Sequence, residues 1–203
     1  MLYDVITVGG GLAGASLAKG LAERGVKVLV LERETAFKDR VRGEQMHPWG
    51  VAELRQLGLY ERLLEACGHE LPWVDMFLWP QQIAHRDLRV STPQEAPEFS
   101  FYHPAMQETL AQAAEAAGAE VRRGVRVSGV ERGSTPRVHL DTDGGTSEAI
   151  EARLIVGCDG RRSRVRQWAG FDVHHDPPGQ CMAGLLFENT NAPQDDTSHV
   201  VIN

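Results

Sequence analysis

Val5-Ile6-Thr7-Val8-Gly9-Gly10-Gly11-Leu12-Ala13-Gly14 is the most informative run in the chain. Its first four residues form a short β-branched stretch that ends at glycines, the pattern of a buried strand. From Leu12 to Arg24, Leu17 and Leu21 stand among small Ala13, Ala15, Ala18 and Ala22, which predicts a helix able to lie close on a sheet. Gly25 takes the left-handed position that commonly ends a helix. Val26-Lys27-Val28-Leu29-Val30-Leu31 then predicts a second strand, closing at Glu32. Strand, glycine turn, helix and strand within 32 residues make a βαβ unit, with a right-handed crossover expected.

The glycines carry chemistry as well as shape. Gly9, Gly11 and Gly14 satisfy GxGxxG: the first for a tight turn, the second for close approach of a pyrophosphate, the third for close packing of helix on strand. The amide groups opening the helix face the phosphate charge. Glu32 lies 18 positions beyond Gly14, near the roughly 20 expected for a carboxylate that bonds a ribose. An acid there suits a free 2′-hydroxyl, so NADP is disfavoured at this site and FAD or NAD remains.

Away from this unit the pattern changes. Residues 33–48 lack periodicity and read as a long charged loop. Pro48 to Leu57 and Tyr60 to Ala66 read as helices separated by Gly58. Between 71 and 102, alternation at Val74, Met76 and Leu78, at Leu88 and Val90, and at Phe99 and Phe101 predicts sheet. Met106 to Ala117 reads as a helix ended by Gly118. Val125, Val127 and Val130, then Val138 and Leu140, then Ala149-Ile150 predict an antiparallel meander, with turns at Gly133-Ser134 and Asp143-Gly144-Gly145. Leu154-Ile155-Val156 predicts a buried strand running into Gly157-Cys158-Asp159-Gly160, followed by a helix to Trp168. Further strands are expected at Met182–Phe187 and at Val200-Val201-Ile202-Asn203, the last reading as unfinished.

Composition narrows the class. With 203 residues, 42% hydrophobic and 24% charged, the chain matches globular averages, which excludes a disordered or fibrous protein. A net charge of -7 argues against nucleic acid as the partner. Eighteen Arg against three Lys suits anion recognition or follows from base composition. No apolar run reaches the roughly 18–20 residues that span a bilayer. Met1-Leu2-Tyr3-Asp4 offers no basic start of a secretory signal, and Cys67, Cys158 and Cys181 show no CxxC spacing. A reducing cytoplasm is therefore expected.

Three stretches together resemble the FAD-dependent monooxygenases related to p-hydroxybenzoate hydroxylase. They are Asp4 to Gly14 with Leu31-Glu32-Arg33-Glu34; Arg42-Gly43-Glu44-Gln45-Met46-His47-Pro48 with Leu57-Gly58-Leu59; and Gly157-Cys158-Asp159-Gly160 through Ser163 to Arg166, similar to that family's DG motif. The resemblance implies an α/β fold: a Rossmann-like FAD-binding domain with an antiparallel β-meander, formed by residues 1–70 and 103–170. Residues 71–102 and 171–203 would be part of a β-rich substrate domain. A third FAD motif, a Gly-Asp pair, would fall beyond residue 203, so the resemblance implies either the N-terminal part of a longer protein, or compromised cofactor binding, or two chains completing one another.

Site residues follow from the same resemblance. Gly9, Gly11, Leu12, Ala13 and Gly14 would lie along the FAD pyrophosphate, Glu32 on the adenosine ribose and Arg33 beside adenine. Arg42 would reach the phosphate or flavin, and the backbone of Val127 would contact adenine. His103 occupies the position where the family usually has Arg or Gln, with Gln107 one turn later as an alternative donor. Asp159 and Gly160 would serve FAD and NAD(P)H, and Arg166 the pyridine nucleotide. The implied activity is NAD(P)H-dependent reduction of FAD and transfer of one oxygen atom from O2 to a small aromatic or polyketide-like substrate. A reductase or halogenase on the same scaffold, or a nucleotide-binding module without turnover, is the alternative. No catalytic base is assigned. His174-His175-Asp176 is not read as a metal site, Cys158 is read as a small core residue, and Trp73, Met76, Phe77 and Trp79 are divided between pocket and packing.

Overall fold

The computed structural model describes residues 2–39, 44–141, 148–177, 179 and 196–202. In chain order it begins with β1 (Tyr3–Val8), α1 (Leu12–Ala22) and β2 (Val28–Glu32). There follow β3 (Gln45–Met46), α2 (Pro48–Gln56), α3 (Tyr60–Cys67), β4 (Gly68–Leu71), β5 (Trp73–Leu78), β6 (Gln81–Asp87), α4 (Leu88–Ser91) and β7 (Glu98–Phe101). The last part holds α5 (His103–Ala116), β8 (Glu120–Arg123), β9 (Arg126–Glu131), β10 (Arg137–Asp141), β11 (Glu148–Gly157), α6 (Arg164–Trp168) and β12 (Thr197–Ile202). Two compact units form: Met1–Lys38 with Gln107–Gln180, and Asp39–Met106 with Cys181–Asn203. Residues 39–70 thus group with the second unit, because β3 and β4 both pair with β7.

The first unit is one six-stranded sheet in the order β8-β2-β1-β11-β10-β9. β8, β2, β1 and the second half of β11 run parallel; β11, β10 and β9 form the antiparallel meander. Two cores flank the parallel strands. On one face Val5, Val28 and Val30 meet Ala18 of α1 and Ala114 of α5, where small helix residues permit close approach. On the other, Ile6, Val8, Leu29 and Leu31 pack against Val127, Val138, Leu140 and Ile150 of the meander.

Three readings need correction here. Ala149-Ile150 and Leu154-Ile155-Val156 belong to one ten-residue strand, whose first part pairs with β10 and whose second part pairs with β1. Beyond Ala152, among the described residues, that strand has a partner on one edge only; Leu154 is exposed and Ile155 and Val156 are half-buried. Edge strand β8, unforeseen, has one apolar residue among charges, Glu120-Val121-Arg122-Arg123. The expected strand alternation at Leu88 and Val90 is instead the short helix α4, which starts where Asp87 Oδ1 accepts from the Arg89 amide at 3.0 Å. The expected strand at Met182–Phe187 and the turn at Asp143-Gly144-Gly145 lie outside the described residues.

The second unit has two three-stranded sheets, β3-β7-β4 and β12-β5-β6. Its buried residues include Val51, Leu54, Leu59, Tyr60, Leu63 and Phe99. Among the described residues, no helix is long and apolar enough to cross a membrane.

Candidate nucleotide site

The glycine turn between β1 and α1 is pinned from both sides. The Gly9 amide donates to the Leu31 carbonyl of β2, and the Cys158 amide, just past β11, donates to the Val8 carbonyl, each at 2.8 Å. Gly9 has φ +104°, and a Cβ there would run into the Cys158 carbonyl. A Cβ on Gly14 would run into the Gly9 carbonyl, which explains why helix and turn can meet only through glycine. Gly11 differs. Nothing crowds it except the Gln107 amide nitrogen, 3.8 Å from where a Cβ would stand. This is an open cradle, not a packed turn.

Helix α1 begins without a side-chain cap and without an acidic residue in its first turn. Leu12 and Ala13 are exposed there. The first amides of a helix lack intrahelical acceptors and carry the positive end of its dipole, so this end suits an anion. At the end of β2, buried Glu32 accepts from the Gly10 amide at 2.7 Å and from the Glu34 amide at 2.9 Å. An ionised carboxylate has about four acceptor positions, which leaves capacity for two more donors such as ribose hydroxyls. The Glu32 carbonyl accepts from Val125, so the chain leading to Val127 crosses the end of β2. The cradle, the uncapped helix and the acid fit a dinucleotide.

The remaining candidates are spread more widely. Arg33 is exposed and pairs with Glu34 at 3.4 Å. Val127 is core, with its strand β9 at the sheet edge. His103 opens α5 with its ring 6.2 Å from that of Phe101. Arg42 lies outside the described residues. Asp159 works as a cap: its carboxylate accepts from the Ser163 hydroxyl at 2.5 Å and from the amides of Arg164 and Val165 at 2.6 and 3.2 Å. Gly160, with φ +83°, makes the turn between them, and the Ser163 hydroxyl accepts from the Arg166 amide. The half-buried Arg166 is carried on α6. Burial pushes the Cys158 thiol up, as suits a packing residue rather than a thiolate nucleophile.

One group near Glu32 escaped the sequence reading. Arg123, opposite Glu32 in the β2–β8 register, is gripped by Glu108 at 2.6 and 2.9 Å and lies 5.1 Å from the centre of the Phe37 ring. The Glu108 bond raises Arg123 further above the ordinary arginine value. Strand β8 was the missing signal. Towards the other end of the chain, His174 and Asp176 form an exposed 3.3 Å pair. Among the described residues no group of His, Cys, Asp and Glu is arranged to hold a metal ion.

A family model described as FAD binding domain matches residues 2–202. The chain belongs to that family. The match agrees with the resemblance carried by the glycine turn, the Arg42 stretch and the Asp159-Gly160 pair. Among curated proteins, rifampicin monooxygenase from Streptomyces venezuelae is 37% identical over 87% of this chain and 36% of its own length. Squalene monooxygenase SE1 from Panax ginseng is 32% identical over 98% of this chain and 37% of its own. Among solved structures, the Diels-Alderase PyrE3 of pyrroindomycin biosynthesis matches with a TM-score of 0.69 at 31% identity, over 82% of this chain and 34% of that one. This FAD binding domain therefore spans about a third of the length of the relatives it matches.

Proposed function

We propose that the chain is the nucleotide-binding part of an FAD- and NAD(P)H-dependent monooxygenase acting on a small aromatic or polyketide-like molecule, in a reducing cytoplasm. The observation that carries the reading is the open Gly11 cradle with buried Glu32 beside it, in a chain of the FAD binding domain family. The monooxygenases among its relatives supply the reaction class.

Bound FAD would supply electron transfer and oxygen activation from O2 and NAD(P)H, which no side chain can provide. The protein's share is placement. The amides of Leu12, Ala13 and Gly14 hold the pyrophosphate by charge-assisted hydrogen bonds. Glu32 takes the ribose hydroxyls with its remaining lone pairs, and the backbone near Val127 and the Arg33 side chain border the adenine. Gln107 reaches the cradle as a donor, a role we assign to it ahead of His103 because its amide nitrogen already faces Gly11. Asp159 and Gly160 shape the turn that would border the cofactor, and Arg42 and Arg166 would offer cations to FAD and the pyridine nucleotide. Residues 2–38 and 107–179 would form the FAD-binding portion, and β12-β5-β6 the start of the substrate domain.

The test is the visible spectrum of the purified protein, with the released cofactor identified by chromatography, followed by NAD(P)H oxidation with product analysis. Bound FAD and NAD(P)H-dependent oxygen insertion are expected. The likeness to a Diels-Alderase favours a second reading, ring formation on the same scaffold. FAD binding with a cyclised product and no NAD(P)H consumption would select it.

A further inference from the structure

A cation stands next to the buried acid of the nucleotide site without bonding it. Arg123 is directly opposite Glu32 in the parallel register of β2 and β8. Directly paired residues share a face of a sheet, and side chains two places apart on a strand share it too. Both residues therefore project from the face on which Val28, Val30 and Val121 pack with Ala18 of α1 and Ala114 of α5. Among the described residues, the Glu32 carboxylate takes the Gly10 and Glu34 amides, and Arg123 gives its two terminal nitrogens to Glu108 of α5 at 2.6 and 2.9 Å. Glu108 is itself steadied by Gln112, one turn on, whose amide donates to it at 3.1 Å.

A carboxylate as exposed as that of Glu108, at 41%, adds little to stability by pairing. What it does is fix the place of a guanidinium. Two parallel bonds to one carboxylate set direction as well as distance, and the Phe37 ring lies 5.1 Å from the guanidinium. Opposite charges attract more strongly where water is scarce. Released from Glu108, Arg123 would have a buried carboxylate on the neighbouring strand as its nearest alternative. There it would occupy the lone pairs that the two amides leave over, and a ribose could not use them.

We propose that Glu108 is a positioning residue for the ribose contact: by holding Arg123 at both terminal nitrogens, it keeps that cation off Glu32 and leaves Glu32 free to accept from a 2′-hydroxyl. The inference rests on the reading of Glu32 as the ribose acceptor. It gives the two partners opposite roles. Arg123 harms binding only when Glu108 is gone, and is dispensable otherwise.

The probes are ADP and 2′-deoxy-ADP, titrated calorimetrically into the wild-type chain, Glu108→Ala, Arg123→Gln and the double variant. Alanine keeps α5 helical, and a thermal scan of each ligand-free sample checks its folding. The wild type is expected to prefer ADP about tenfold, the loss that follows removal of one charge-assisted hydrogen bond. Glu108→Ala should bind ADP about tenfold more weakly and lose the preference. Arg123→Gln should keep it, and the double variant should regain it. A pair that merely steadies α5 against β8 would leave the preference in place in every variant and would not be rescued in the double. That pattern, or an unchanged preference in Glu108→Ala, overturns the proposal. A wild type that binds both nucleotides equally removes Glu32 as the ribose acceptor and the proposal with it, a result distinct from the first two because it appears before any substitution is made.

Discussion

At Glu32 one carboxylate serves the fold before it serves any ligand. It holds the Gly10 and Glu34 amides, so its removal leaves two backbone donors short of an acceptor, and on the proposed function it would also deprive a ribose of its partner. Glu32→Ala is therefore expected to weaken FAD binding by about 1.5–3 kcal/mol per lost charge-assisted bond, roughly ten- to hundredfold. It should also lower the melting temperature of the cofactor-free protein. Isothermal titration and a thermal scan on the same samples separate the two effects, and unchanged affinity would remove Glu32 from the site. Gly14→Ala acts differently, because its methyl group would meet the Gly9 carbonyl. Overpacking of this kind costs about 1–3 kcal/mol. Denaturant unfolding should register that loss, and FAD binding should fall with it because the turn has moved.

Helix α6 has only five residues and depends on its start, where Asp159 and Ser163 together satisfy the amides of Arg164, Val165 and Arg166. Asp159→Ala is expected to cost about 0.5–2 kcal/mol, the usual range for a lost cap, read from the shift in urea midpoint. Glu108, on α5, gives a pH-dependent counterpart on β8. The hydrogen bond from Arg123 holds its carboxyl below the ordinary value of 4.5. A folded value below the unfolded one means the stabilisation is complete above the ordinary carboxylate range and is lost as pH falls through the folded value. Glu108→Gln should flatten the acid side of a stability-against-pH curve, an effect that shrinks at high salt. The βαβ unit, the glycine turn, the meander and α5 were all readable from periodicity and glycine placement. Strand β8 was not, because an edge strand with charged residues on both sides of Val121 shows no apolar alternation. The join of Ala149-Ile150 with Leu154-Ile155-Val156 was hidden as well: each half of β11 has its own partner, and only pairing shows that the chain does not turn between them. At the site, the glycines and Glu32 were visible from spacing, whereas the grip of Glu108 on Arg123 depends on α5 and β8 being neighbours in space.

Taken unit by unit, the molecule divides its chemistry. The first unit gathers the cradle at Gly11, the uncapped start of α1, Glu32 and the crossing at Val125. On the function proposed above, each of these would address a pyrophosphate or the adenosine beyond it. The second unit presents the His199–Asp75–His85 row across the β12-β5-β6 sheet. Because the chain spans about a third of its relatives' length, binding of the adenosine half is the property this sequence can be asked for most directly. ADP should therefore stabilise the protein although it lacks the isoalloxazine ring, whereas FMN, which has the ring but no adenosine, should not. At a hundredfold excess over its dissociation constant, ADP is expected to add about 2.7 kcal/mol, visible as a rise in melting temperature that Glu32→Ala diminishes. Equal stabilisation by FMN would mean that the cradle reads a single phosphate and that Glu32 is not the adenosine contact. Stabilisation by ADP alone would tie the glycine turn and Glu32 to one ligand, independently of any turnover.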